Sequence, residues 1–236
     1  MHTISTFATK GGAGRSTTVM ALACGFLSRG KRVAVIDCTD DAGWHAERVV
    51  PSGLEAWELH TRDLRLGINA RPIRLTKART RLQIEDQWAA AKADGCDVLL
   101  FDTQHRSEDN QAAALGLADL VVVPATGVIE AHCTAEQIQD ILGFPENLFG
   151  LVTGCRNGSA EAMKTRAVFG AYPVFQSELP WAEPLADLRR IGNIERFVAM
   201  RECKSNAAGF ARYSAARDAW RAALYRATVQ QRWLRT

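Results

Sequence analysis

The amino-acid sequence predicts an α/β protein with a mainly parallel, doubly wound sheet. Short β-branched runs alternate along the chain with longer helical stretches, which is typical of parallel strands joined by crossover helices. Three of these runs, at residues 32–36, 97–101 and 120–123, are almost entirely apolar, as expected of strands buried on both faces. The 236 residues contain no linker rich in Pro, Gly or Ser, so we expect a single domain over residues 1–236.

The predicted elements follow one another in a regular order. The first strand covers residues 2–8, and the first helix covers residues 16–29 and ends at Gly30. Two weaker strands, at residues 148–153 and 173–175, follow the three apolar ones, and helices are predicted at residues 82–93, 130–142 and 160–169. Residues 60–81 hold seven Lys or Arg and one acidic residue without a clear period, so we expect a loop-rich excursion there.

Residues 206–235 form one long helical pattern, which we expect to pack on the domain as a basic C-terminal helix (206–236). Alanines recur on one side, which permits close packing, and arginines fall within about 60° on the opposite side. These arginines are Arg217, Arg221, Arg232 and Arg235. From Arg189 onwards, 11 basic and 3 acidic residues give a charge of +8, on a chain with a net charge of +3. Such a face favours an anionic partner, nucleic acid or a membrane surface, and the alternative is a solvated helix.

The composition excludes several classes of protein. With 47% hydrophobic and 23% charged residues, the chain is globular rather than disordered or fibrous. Its longest apolar runs are far too short to cross a bilayer. The six cysteines are scattered without a Cys-x-x-Cys pair, so we expect reduced thiols and a cytoplasmic location.

The segment between the first strand and the first helix carries the strongest functional signal. Glycines at such a junction let backbone N–H groups converge on a phosphate, and the helix N-terminus adds the positive end of its dipole. The expected nucleotide-binding residues are Lys10, Gly11, Gly12, Ala13, Gly14, Arg15, Ser16 and Thr17. Ser16 stands where a P-loop hydroxyl ligates Mg²⁺, and Asp102 fits the carboxylate that holds this ion through water. The general P-loop pattern requires Gly and Lys where this chain has Thr9 and Arg15.

This loop resembles the deviant P-loop of the ParA/MinD ATPases, whose pattern is Lys-Gly-Gly-x-Gly-Lys-[Ser/Thr]-Thr. The resemblance covers most of the chain, through the strands that end at Asp37 and Asp102, the run 119–124 and the pair Leu179-Pro180. The Lys-Gly-Gly-Ala-Gly version is most similar to the plasmid-partition and conjugative-transfer branch. The resemblance implies a three-layer P-loop NTPase fold that binds ATP and Mg²⁺ and forms a homodimer.

The resemblance also implies roles for single residues. In that family the early lysine, here Lys10, reaches across the dimer to the partner's phosphates. The implied metal ligands are Ser16, Asp37 and Asp102. The family's switch I reads Asp-x-Asp-Pro-Gln and aligns the attacking water with its second Asp; Thr39 stands at that position here, which leaves Asp40 as the catalytic candidate beside Lys10. Because of Thr39 and Arg15, we expect ATP hydrolysis to be slow.

The resemblance implies an ATP-dependent dimerisation switch that binds DNA without sequence preference, in plasmid partition or conjugative DNA transfer. A partner protein would stimulate hydrolysis or carry the cargo, and the protein would lie on the nucleoid. Two alternatives stay open: a nucleotide-binding scaffold that no longer hydrolyses ATP, and a MinD-like ATPase of the membrane surface. The alanine side of the C-terminal helix disfavours the membrane, because an interfacial helix requires a bulky apolar face.

Changing Arg217 and Arg221 to Glu should abolish the retardation of DNA in the presence of ATP, because phosphate contacts dominate nonspecific binding. Each arginine that neutralises a phosphate adds about 0.9 to the slope of log affinity against log salt, so in a dimer of the unchanged chain these two positions should account for about 3.6 of the slope. Dimerisation and nucleotide binding should survive. Retardation equal to that of the unchanged chain would mark these arginines as a solvated face, and the basic residues 62–81 would be tested next.

Overall fold

The computed structural model describes residues 1–27, 30–39, 54, 57–58, 73–103, 108–143, 146–156, 158–170, 172–175 and 178–179. Within these ranges strands and helices alternate, which confirms the predicted α/β class. The strands are β1 (His2–Thr6), β2 (Val33–Asp37), β3 (Arg74–Lys77), β4 (Val98–Asp102), β5 (Leu120–Ala125) and β6 (Leu148–Val152). The helices are α1 (Arg15–Leu27), α2 (Arg81–Ala93), α3 (Glu108–Gly116), α4 (Val128–Leu142) and α5 (Ala160–Val168).

The described strands form one parallel sheet in the order β3-β2-β4-β1-β5-β6. Its side chains alternate between two faces: Val98 and Leu100 of β4 lie in the core that α1 covers. Leu99 and Phe101 lie in the opposite core, beneath α2 and α3. Burial on both faces explains why the strands are continuously apolar, and helices on both sides confirm the three-layer arrangement.

Helix α1 is enclosed along most of its length. Every residue from Thr18 to Leu27 is buried, so the helix is apolar on all sides rather than along one stripe. Just beyond it Gly30, at a φ of +72°, donates its N–H to the carbonyl of Leu27 at 2.9 Å. The core therefore fixes α1, and with it the position of the first turn of the helix.

The structure corrects the sequence prediction in three places. β3 lies inside the segment 60–81, for which the sequence predicts loops. It is an edge strand whose residues are all half-buried, and two of them are charged, so it lacks the apolar run by which a strand is recognised in the sequence. Helix α3 was not predicted, because it has no clear apolar stripe of helical period. The predicted strand 173–175 is reduced to a single bridge between Val174 and Gly150.

Several predictions fall on residues that the structure does not describe. The C-terminal helix, with Arg217, Arg221, Arg232 and Arg235, lies outside the described ranges, as does Asp40. Among the helices within those ranges, none is long and apolar enough to cross a membrane.

An ion pair with one buried partner joins α5 to the segment that follows it. Arg166 Nη2 lies 3.4 Å from Glu178 Oε1, and Arg166 Nη1 donates to the carbonyl of Phe175 at 2.5 Å. The side chain of Glu178 is only 6% exposed, and its other oxygen accepts the N–H of Gly158 at 3.0 Å. These contacts hold Phe175 and Glu178 against α5 and the turn that precedes it.

Arg166→Met should lower the free energy of unfolding by about 2 kcal/mol, because the variant keeps the packing of the stem but leaves a buried carboxylate without its cation. Arg81→Met is the matched control. The ion pair of Arg81 with Glu85 is exposed and spans one helical turn, so its loss should leave the free energy of unfolding nearly unchanged. Urea unfolding followed by tryptophan fluorescence compares the two variants, and equal losses would contradict a stabilising role for the Arg166 contacts.

Candidate nucleotide-binding site

The loop between β1 and α1 lies at the carboxyl edge of the sheet, where the strand order changes direction. β1 stands between β4 and β5, and the chain continues from β1 to β2 on one side before it reaches β5 on the other. Ligands of open parallel sheets bind at such a switch point. Gly12 and Gly14 have φ angles of +90° and +89°, where L side chains are strained, so this loop course requires glycine at both positions.

Side chains from two distant elements hold this loop. The hydroxyl of Thr134, on α4, accepts the N–H of Thr9 at 3.3 Å and lies 3.0 Å from the Thr9 hydroxyl. Thr153, directly after β6, donates its hydroxyl to the carbonyl of Ala13 at 3.1 Å. The loop is thus anchored on both sides of its glycines before the first α-helical hydrogen bond, from Thr18 N–H to the carbonyl of Gly14, begins α1.

Two buried carboxylates lie side by side at the ends of β2 and β4. The strand register pairs Asp37 with Asp102, and each residue is 1% exposed. Ser16, in the first turn of α1, donates its hydroxyl to Asp102 Oδ2 at 2.5 Å. Asp37 Oδ1 accepts the N–H and the hydroxyl of Thr39, at 2.9 and 2.5 Å. The fold therefore brings the three expected metal ligands to one place.

The donor set of Ser16, Asp37 and Asp102 suits a hard divalent cation. Hydroxyl and carboxylate oxygens are the side-chain ligands that Mg²⁺ prefers, and a cation offsets the cost of burying neighbouring carboxylates. Mg²⁺ is usually held by one or two carboxylates together with phosphate oxygens and water, and Ser16, Asp37 and Asp102 fit this mode of binding.

Cys38 follows Asp37 in the sequence and precedes Thr39. Burial raises the pKa of the Cys38 thiol far above its usual value, and the charges of Asp102 and Asp37 raise it further. The side chain is therefore an uncharged thiol at neutral pH. It adds no third negative charge to the pair of carboxylates.

Arg15, which replaces the P-loop lysine, contacts protein atoms. Its Nη1 donates to the carbonyl of Ala8 at 3.2 Å. Burial lowers the pKa of Arg15, and the negative charges of Asp102 and Glu130 oppose this change. A guanidinium does not lose its proton in proteins, so Arg15 remains a cation at the foot of the loop.

A cavity of about 1060 Å³ opens beside the loop. Its walls are the loop residues 9–12, the first turns of α4 and the start of α5. The side chains that line it include Lys10, Ile129, Glu130, Cys133, Glu161 and Lys164. Lys10 is exposed, and Ile129 is 80% exposed although it is apolar. The cavity thus combines both signs of charge with an exposed apolar side chain.

Glu130 is hydrogen-bonded to a neighbouring residue in this wall. One of its carboxylate oxygens, Oε2, accepts both the N–H and the hydroxyl of Thr126, at 2.9 and 2.6 Å. It occupies the third position of α4, where a carboxylate also interacts favourably with the helix dipole. A fixed negative charge therefore stands next to the phosphate loop.

The first 199 residues match the model of a protein family, described as VirC1 protein. The chain belongs to this family. The VirC1 family is ParA-like, which confirms the resemblance stated from the loop sequence. No individual curated protein matches the chain.

Solved structures of P-loop ATPases share the fold. MinD of Aquifex aeolicus superposes with a TM-score of 0.61 at 16% identity, over 97% of each chain. An ATP complex of a Cyanothece McdA variant gives 0.53 at 15% identity, over 93% of this chain and 96% of that one. pNOB8 ParA bound to nonspecific DNA gives 0.51 at 18% identity, over 87% and 99%. The fold is therefore that of the MinD/ParA-type P-loop ATPases.

The structure gathers most of the predicted site residues at one edge of the sheet, and Asp40 lies outside the described residues. The sequence analysis missed three residues that shape the site: Thr134, Thr153 and Glu130. Each is a common residue type more than 100 positions from the loop, and no spacing signals a long-range contact of this kind. Only Thr153 had a sequence feature that could have indicated a site residue, because it stands at the end of the predicted strand 148–153.

Glu130→Gln should tighten the binding of pyrophosphate and of ADP by about threefold to fivefold at low salt, because it removes a negative charge beside an anion site. Glutamine keeps an oxygen that can accept the two hydrogen bonds of Thr126. Glu136→Gln is the matched control, since Glu136 lies on the same helix but is exposed beside His132. Isothermal titration calorimetry measures the dissociation constants. Weaker binding by the Glu130 variant would contradict the electrostatic explanation.

Proposed function

We propose that this VirC1-family protein is an ATP- and Mg²⁺-dependent switch that dimerises, binds DNA without sequence preference and acts in plasmid partition or conjugative DNA transfer. The observation that carries the proposal is the hydrogen bond from Ser16 to buried Asp102, beneath a loop with two positive-φ glycines. This arrangement combines a phosphate cradle with oxygen ligands for a cation. The Cyanothece neighbour is an ATP complex, which supports the choice of nucleotide.

Different groups of this chain would bind the phosphates and the cation. The N–H groups of residues 11–17 and the dipole of α1 would hold the phosphates. Ser16 would exchange its bond to Asp102 for the cation, and Asp102 and Asp37 would hold the water ligands. The cation, when bound, would offset the negative charge that develops on the phosphates. Arg15 would add a positive charge at the foot of the loop.

A second copy of the chain is the occupant that we propose for the cavity beside the loop. Lys10, the residue that the resemblance assigns to the partner's phosphates, lies in its wall. Ile129 is 80% exposed there, and burial of such a side chain favours association. Lys164 and Glu161 supply opposite charges, which a two-fold dimer can pair. Nucleotide would complete this face and close the homodimer.

DNA binding is the part of the proposal that depends on residues beyond the described ranges. The arginine face with Arg217, Arg221, Arg232 and Arg235 is its sequence basis. One neighbour of similar fold is a ParA bound to nonspecific DNA, which supports the same use of this fold. We propose a location on the nucleoid and a partner protein that controls the switch.

A nucleotide-binding scaffold that no longer hydrolyses ATP is the second candidate. Thr39 replaces the carboxylate of switch I, and its N–H and hydroxyl are both bonded to Asp37. A hydroxyl engaged in this way is a poor group for aligning water, and loss of one positioning group typically costs on the order of 10² in rate. Stable dimers without measurable phosphate release would favour this candidate.

ATP with Mg²⁺ should convert the purified monomer into a dimer in sedimentation velocity, and Ser16→Ala should abolish the change because it removes a cation ligand. Thr80→Ala is the control: it removes the N-cap hydroxyl of α2, which does not line the cavity, and affects stability alone. Phosphate release is measured on the same samples. No magnesium-dependent binding of ATP, ADP or a non-hydrolysable analogue at millimolar concentration would contradict the proposal.

The same dimer can be located with the exposed Cys133, which lies one turn of α4 after Ile129. In a chain with Cys96 and Cys203 changed to Ser, a short bis-maleimide should join two copies only when ATP and Mg²⁺ are present. Cys24, Cys38 and Cys155 are buried and should not react. Ile129→Asp should prevent the cross-link without loss of nucleotide binding. No cross-link in the presence of ATP and Mg²⁺ would place the interface elsewhere, and cross-linking without nucleotide would contradict a nucleotide-dependent dimer.

A further inference from the structure

We propose that Thr153 is a positioning residue for phosphate binding, because its hydroxyl fixes the orientation of the Ala13–Gly14 peptide in the loop. The inference rests on the proposed nucleotide site and adds a residue that lies 140 positions from the loop in sequence. Thr153 touches no reacting group. It acts through the backbone of the loop.

The hydroxyl of Thr153 is held firmly by its own surroundings. Thr153 is 3% exposed, and its N–H donates to the carbonyl of Ala125 at 2.9 Å, which continues the pairing of β6 with β5. On its other side it bridges to Leu179. From this fixed position the hydroxyl donates to the carbonyl of Ala13 at 3.1 Å, and Ala13 is itself 1% exposed. The contact is therefore buried at both ends.

The direction of that carbonyl decides which group the loop offers to a phosphate. In a trans peptide the C=O and the following N–H point in opposite directions. With the carbonyl of Ala13 bound to Thr153, the N–H of Gly14 points away from Thr153, and in the proposed site this N–H is one of the donors to the phosphate. A flip of this peptide would replace the N–H with a carbonyl oxygen, which repels an anion. One side-chain bond thus selects a donor instead of an acceptor.

The loop cannot make this selection through its own conformational preferences. Gly14 has a φ of +89°, and glycine adopts positive and negative φ almost equally well, so neither peptide orientation is strongly favoured by sterics. A Cβ on Gly14 would lie 3.4 Å from Thr153 Oγ1, so the loop also packs closely against this side chain. Because Gly14 allows both orientations of the peptide, a side chain from outside the loop is needed to fix one of them.

Thr153→Val tests the hydrogen bond to the carbonyl of Ala13, because valine keeps the shape of threonine but has no hydroxyl. Thr153→Ser restores the donor, and Thr165→Val is the matched control. Thr165 is 0% exposed on α5, and its hydroxyl has no hydrogen-bond partner within the described ranges, so its loss should be neutral. The probes are inorganic pyrophosphate and Mg²⁺–ADP, titrated by calorimetry into the full chain. The amide of Gly14 is followed by ¹⁵N NMR, with and without pyrophosphate.

We expect Thr153→Val to weaken the binding of both probes by about tenfold, which corresponds to one lost hydrogen bond of about 1.4 kcal/mol. Thr153→Ser should bind within about twofold of the unchanged chain, and the Thr165 variant should equal it. The Gly14 amide should shift on pyrophosphate binding in the unchanged chain and in the Ser variant, but not in the Val variant. If Thr153 had only a structural role, the Val variant would unfold at a lower temperature but its Gly14 amide would still shift with pyrophosphate. The Gly14 response therefore distinguishes a structural role from a positioning role.

Equal affinity of the Val variant and the unchanged chain for both probes would overturn the inference while leaving the proposed function intact. Weakening that serine does not rescue would also overturn it, since the hydroxyl would then not be the cause. An unchanged chain that binds neither probe would overturn the proposed function, and the inference with it. If the Val variant does not fold, the Gly14 response in the Ser variant decides: its absence overturns the inference.

Discussion

The parallel register of β1, β4 and β2 is the constraint on which the site depends. It sets Thr6, Asp102 and Asp37 level with one another at the carboxyl edge of the sheet. The two apolar faces fix this register, because a slip of one residue would turn every buried side chain to the wrong side. Core packing therefore decides where the carboxylates stand, and the enclosed helix α1 brings Ser16 to one of them.

Sequence reasoning found the parts of the site that are contiguous or lie at strand ends. The loop of residues 10–17 can be recognised because glycine, hydroxyl and helix start follow one another within a few positions. Asp37 and Asp102 can be recognised because each follows an apolar run. Thr153 and Glu130 could not be found, since their roles come from long-range contacts that the fold creates. β3 was missed for a different reason, because an edge strand needs no continuous apolar run.

The two departures from the family pattern are accommodated by specific contacts. Arg15 donates to the carbonyl of Ala8 and lies in the field of Asp102 and Glu130. Thr39 donates its N–H and its hydroxyl to the carboxylate of Asp37. Neither change removes the cradle or the oxygen donors; both change the groups that surround them. The chain therefore keeps the loop and the oxygen donors that we propose for phosphate and Mg²⁺, and it changes one cation of the loop and one carboxylate of switch I.

The outer strands of the described sheet are poor templates for a further strand. β6 is already bridged by Val174, and Leu179 bridges Thr153 directly after it. β3 carries Arg74 and Lys77, whose charges discourage backbone pairing. The homodimer that we propose would therefore form through side chains rather than by continuing the sheet. Such an assembly could form and dissociate many times without breaking a backbone ladder, and it would carry little risk of growing into a fibre.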